Sequence, residues 1–86
     1  MENQEKRLAL VGILVEDLNS ASKVNALLHE YAHLMVGRMG IPYRQYGVSV
    51  ISVVMDATPN DISSLCGKLG RIKGISVKSL QTKAGE

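Results

Sequence analysis

Two short stretches of this chain, Leu8–Val15 and Val48–Met55, are apolar on both of the sides that a β-strand presents. In the first, Leu8, Leu10 and Leu14 fall on one side and Ala9, Val11, Ile13 and Val15 on the other. In the second, Val48, Val50 and Val54 oppose Ile51, Val53 and Met55. A sheet with one face in water alternates apolar and polar residues, so strands without that alternation belong in the middle of a sheet covered on both faces. The first stretch is the longest apolar run and falls far short of the roughly 20 residues of a transmembrane helix. Lys6 and Arg7 ahead of it imitate the start of a signal peptide. Glu16 and Asp17 follow at once, however, and no small-residue cleavage pattern comes next, so the stretch is read as a buried strand.

The other segments supply what such strands need. The first strand covers about Arg7 to Val15 and stops at the polar loop Glu16-Asp17-Leu18-Asn19. A helix follows, with Asn19 or Ser20 placed to accept a bond from a free amide of its first turn. Val24, Leu27, Leu28, Tyr31 and Met35 share one helical stripe, and the helix is expected to end near His33 or Leu34. A second strand covers roughly Met35 to Ile41, loosened by Gly37 and Gly40, and Pro42 to Gly47 is a connector. The third strand runs from Val48 to Asp56. Thr58, Pro59 and Asp61 then give the clearest local signal: an N-cap, a proline at the first helical position and a carboxylate three residues after the cap. Ile62, Leu65, Leu69 and Ile72 repeat at helical spacing, and Gly70 or Gly74 can end that helix. A strand over Ile75 to Thr82 completes an ordered part of about 6–82, with a frayed tail from Lys83. The order βαββαβ is the split motif of the α+β ferredoxin-like sandwich. It predicts a single domain over 1–86, a four-stranded antiparallel sheet in the order 4-1-3-2, and both helices on one face.

That arrangement leaves one apolar face of the central strands without helices. An exposed patch of this kind marks a protein–protein interface, and Val11, Ile13 and Val53 are read as positions on the side that a second subunit covers. A chain of 86 residues buries only about 60% of the surface its unfolded form exposes. Cys66 is the one cysteine, so no intrachain disulfide adds to that core. A homo-oligomer, dimer or tetramer, is expected. An unpaired cysteine suits a cytoplasmic location. A net charge of +2 is too small to mark a nucleic-acid or membrane-surface binder. The strand aromatics on which RNA-recognition sheets stack bases are missing. Neither autonomous nucleic-acid binding nor membrane association is expected.

His29-Glu30-Tyr31-Ala32-His33 matches H-E-x-x-H, in which two histidines one turn apart hold zinc and the glutamate activates water. Such a site needs a third protein ligand, no later histidine exists, and both rings fall on the solvent side of the helix. No catalytic residue and no cofactor is therefore expected, and His29 and His33 are at most weak metal ligands. Cys66 lies in the apolar stripe of the second helix, where free cysteine is usually inert. Gly37-Arg38-Met39-Gly40 is not a phosphate loop, and glycine in a strand more often permits a bulge or a close backbone approach. Arg38, Arg44 and Arg71 can grip a carboxylate or phosphate through paired donors, or be solvated cations.

Leu28-His29-Glu30-Tyr31, then Val36-Gly37-Arg38-Met39-Gly40-Ile41-Pro42-Tyr43-Arg44, then Gly67 to Ile72 with Gly74 to Lys78, together make a familiar pattern. It resembles the iron-only hydrogenase system regulators over about Lys6 to Lys83, with G-R-M-G-I-P-Y-R as the distinctive block. That family is similar in fold to ACT domains and to the C-terminal, ligand-binding domain of the nickel-responsive repressor. The resemblance implies a regulatory, ACT-like module, a transcriptional regulator or supporting component of the hydrogenase system, and no enzyme. It implies a small-molecule effector or a hydrogenase-related protein as partner. The family pattern keeps His-Glu-Tyr without requiring a second histidine, which makes the H-E-x-x-H match a coincidence. The ACT likeness places a small ligand at a subunit interface near the loop after the first strand, here Glu16 to Ser20. Asp17, Asn19, Arg38, Gly40 and Arg44 are the candidate ligand-binding residues. The alternative is a metal-binding protein that uses His29, His33 or Cys66.

Overall fold

A computed structural model describes residues 5–82. It contains five-residue-or-longer elements in the order β1 (Arg7–Val15), α1 (Ala21–Glu30), β2 (Met35–Tyr43), β3 (Val48–Ala57), α2 (Pro59–Gly70) and β4 (Ile75–Gln81). Short 3-10 turns over Leu18–Ser20 and Ala32–Leu34 bracket α1. The tail from Lys83 lies outside the described residues. The sheet is antiparallel in the order β2-β3-β1-β4, which is 4-1-3-2 from the opposite edge, so the two strands that are apolar on both sides are the central pair. This is the ferredoxin-like α+β arrangement.

Strand pairing sets every side chain to one face or the other, because directly paired residues point the same way. Ala9, Val11, Ile13 and Val15 of β1 and Ile51, Val53, Met55 and Ala57 of β3 form the buried face. Val24 and Leu28 of α1 and Ile62, Leu65 and Leu69 of α2 close over it. Val11, Ile13 and Val53 are therefore core residues under the helices and not positions that a second subunit covers, which corrects the expectation above. The compact β-branched side chains of β1 lie beneath the helices, and the longer leucines turn outward.

α2 begins as its sequence requires. The Thr58 hydroxyl oxygen accepts a bond from the Asp61 amide at 3.2 Å, and Pro59 occupies a position whose missing N–H costs nothing. α1 departs from expectation at both ends. Neither Asn19 nor Ser20 caps it with a side chain. Asp17 instead accepts from the Asn19 amide at 3.0 Å, and the buried Ser20 hydroxyl donates to the Lys73 carbonyl at 2.8 Å. At the far end α1 stops at Glu30, and the chain tightens into the Ala32–Leu34 turn.

β2 runs two residues beyond its expected end, into Pro42 and Tyr43. It is an edge strand that pairs only with β3, and Val36 is an extra residue in the ladder, a β-bulge between Met35 and Gly37. Beyond the bulge β2 and β3 form a hairpin arm, and the molecule is drawn out to 45 × 20 × 18 Å. Tyr43 and Tyr46 meet edge-to-face at the tip, with ring centroids 5.2 Å apart.

Candidate functional site

The helix-free face of the sheet carries the second apolar set. Across it, Ile41 of β2 lines up with Val50 of β3, Leu14 of β1 and Ser76 of β4. The next row is Met39, Ser52, Gly12 and Lys78. The row after that is Gly37, Val54, Leu10 and Leu80. Leu8, Leu10, Leu14, Met39, Ile41, Tyr43, Val50 and Leu80 are all exposed, from 37% at Val50 to 70% at Leu80. Together they leave on the order of 700 Å² of apolar surface, above the roughly 300–600 Å² of the largest patch on a typical monomer.

This face is not flat. Three adjoining hollows run along β1, of about 360 Å³ beside Leu8, Leu10 and Leu80, about 390 Å³ around Gly12, Ser52 and Lys78, and about 250 Å³ beside Leu14 and Val50. Gly12 has no side chain and Ser52 a short one, so the centre of the middle row, between Met39 and Lys78, is the floor of a trough between two leucine and valine ridges. Lys78 is the one charged residue that lines these hollows among the described residues. Sequence reasoning did not single out Gly12, Ser52 or Lys78. The signal that would have found Gly12 is a glycine in the centre of the most apolar strand, where it weakens the strand unless something approaches closely.

The loop after β1 is laced to the turn before β4. The Glu16 amide donates to the Gly74 carbonyl at 2.8 Å, and Ser20 holds Lys73 as described. Asp17 is half-buried there and Asn19 exposed. Leu18 leans toward Pro42, Tyr43 and Arg44 of the hairpin and lines a small depression with them. Arg38 and Gly40 lie further down β2, on the side that faces α1, and are exposed. The Arg38 guanidinium is engaged: it donates to the Asn25 side-chain oxygen at 2.6 Å. The five candidate ligand residues thus occupy the loop after β1 and the arm of β2, bridged by Leu18.

His29 and His33 are both exposed, His29 on α1 and His33 in the separate 3-10 turn. Among the described residues no three His, Cys, Asp or Glu side chains gather as a metal site would require. Cys66 is half-buried against the core. Tyr31 is held by α2, its hydroxyl 2.9 Å from the Ser64 hydroxyl and its ring 5.3 Å beneath the Lys68 ammonium. The neighbouring Tyr31 and, to a lesser degree, Glu30 raise the pKa of Lys68. No helix among the described residues is long and apolar enough to cross a membrane.

The family model "TM1266-like: Iron-only hydrogenase system regulator, putative" matches residues 7–79. This chain belongs to the TM1266-like family. Its structure is similar to that of the uncharacterized protein TM1266 from Thermotoga maritima, at 34% identity and a TM-score of 0.87, over 92% of this chain and 100% of that one. No curated protein matches the sequence. The C-terminal domain of the MgtC protein from Mycobacterium tuberculosis is similar at 13% identity and a TM-score of 0.66, over 100% of this chain and 98% of that one. A formyltetrahydrofolate deformylase from Pseudomonas putida KT2440 is similar at 13% identity and a TM-score of 0.61, over 85% of this chain and 28% of that one. At such identities these two share the fold alone. The TM1266-like match spans β1 to β4 and includes the exposed block over residues 37–44, in β2 and the turn after it.

Proposed function

We propose that this TM1266-like chain is a non-catalytic, cytoplasmic regulatory module that works as a homo-oligomer and senses a small effector held between its subunits. The family supports the regulatory part of this reading. One observation carries the homo-oligomer: the leucine-rich, helix-free face of the sheet. Its roughly 700 Å² approaches the ~800 Å² that each partner contributes to a standard stable interface. A second copy of this chain is the occupant that fits, because a self-complementary apolar face closes on itself about a twofold axis and leaves no equivalent face free.

The test is light scattering at tens of micromolar on the wild type and on Leu10→Asp combined with Leu14→Asp. The wild type is expected at twice or four times the monomer mass. The double variant is expected to be a folded monomer by circular dichroism, because both side chains are already part-exposed. A monomeric wild type refutes the reading.

A further inference from the structure

We infer that the trough floored by Gly12 and Ser52 is an effector site on the twofold axis, and that it takes a short aliphatic carboxylate. The inference rests on the face-to-face oligomer proposed above. Sheets packed face to face stand about 10 Å apart, a distance set by the large side chains that meet between them. A twofold axis that lies between the two sheets and passes over the centre of the face lays Gly12 and Ser52 opposite their own copies. The ridges on either side, Leu10 with Val54 and Leu14 with Val50, keep the sheets apart there. Gly12 and Ser52 then cannot touch their copies, Met39 and Lys78 stand at the two ends of the same row, and the hollow around Gly12, Ser52 and Lys78, about 390 Å³ in one subunit, opens between them. An enclosed void of that kind costs stability in proportion to its volume unless something fills it. Ligand chambers are of this size, lined mainly by apolar groups with a few polar ones that orient the guest.

The lining determines the guest. The walls are Leu10, Leu14, Val50 and Leu80, which suit an unbranched alkyl chain. Ser52 and Lys78 stand in the same row as Gly12 and line the hollow, and an ammonium on an apolar chamber selects an anion. No lining residue offers a carboxylate to repel it. An amphipathic monocarboxylate satisfies both features, with its chain along β1 and its head at Lys78.

Hexanoate is the probe and hexanol its uncharged control, titrated calorimetrically into the full chain after its mass has been measured by sedimentation. Hexanoate is expected to bind at least tenfold more tightly than hexanol. Lys78→Met is expected to bring hexanoate down to the level of hexanol. Gly12→Val fills the floor, and the added Cβ meets only the Lys78 carbonyl, at 3.9 Å. It is expected to abolish binding of both probes and leave the oligomer mass unchanged. Ser52→Val fills the trough from the neighbouring strand and carries the test alone if Gly12→Val does not fold. A wild-type oligomer that binds neither probe overturns the chamber and leaves the assembly standing. Equal affinity for hexanoate and hexanol overturns the assignment of an anion. A monomeric wild type overturns the assembly and the chamber with it.

Discussion

Gly74 is where the loop after β1 meets the turn before β4. Its φ is +76°, and a Cβ there would collide with the Asp17 side chain and lie 2.9 Å from the Asp17 amide nitrogen. An L-residue in this conformation costs about 1–2 kcal/mol before any clash, so Gly74→Ala is expected to lose at least about 2 kcal/mol in a urea unfolding curve. Gly40→Ala is the contrast, since nothing lies within 4 Å of its added Cβ, and its change is expected within about 0.5 kcal/mol of zero. Lys68 makes a prediction in pH. Its folded pKa is raised above 10.5 by Tyr31 and Glu30. A raised lysine adds stability that is complete below the unfolded pKa and is lost as the pH climbs through the folded one. The urea midpoint of the wild type minus that of Lys68→Met should therefore be constant near neutrality and shrink only above about pH 10.5. The sequence shows the glycine and the lysine, but their neighbours are Asp17 and Tyr31, far away along the chain, and only folding brings them together.

The elements differ in how much of themselves the sequence discloses. α2 is written locally: Thr58, Pro59 and Asp61 lie within one turn, and the structure reproduces the cap they predict. Thr58→Ala removes the acceptor for the Asp61 amide, and a loss of about 1 kcal/mol is expected by chemical denaturation. α1 is less legible because its ends are settled by tertiary contacts. Ser20 gives its hydroxyl to Lys73 instead of to the helix, and the stripe through Tyr31 and Met35 conceals the break after Glu30. The break puts His29 and His33 on different elements, so the spacing that suggested a metal site describes a continuous helix that the chain does not form. For β1 and β3 the alternation separates two apolar sets, but it does not say which meets the helices, since both would bury well. The Arg38 contact with Asn25 links β2 to α1 and has no signature in either segment.

At the scale of the whole molecule, the two faces of one sheet should answer differently to the same substitution. Val11→Asp puts a carboxylate beneath α1 and α2 at a fully buried position, and burial of an unpaired charge is expected to abolish the cooperative unfolding transition. Leu10→Asp, one residue away on the open face, should separate subunits and keep the fold. Circular dichroism and light scattering on the two single variants read both outcomes. Full burial of a large aliphatic side chain is worth roughly 1.5–3 kcal/mol; in the proposed oligomer each part-exposed leucine or valine gains a share of that, which a handful on each subunit set against the cost of joining two bodies.

The outer edge of the sheet bears on the same question. A long apolar edge strand is ordinarily a template on which further chains can add without limit. In β2 the bulge at Val36 interrupts the ladder at one end, and Pro42 at the other withholds an N–H from any strand that would dock there. Growth strand by strand is blunted at this edge, while the apolar surface stays concentrated on the face. In the proposed oligomer, contacts through that face close after a fixed number of copies. This chain can therefore keep a strongly adhesive surface and still be steered toward a finite particle, away from fibres.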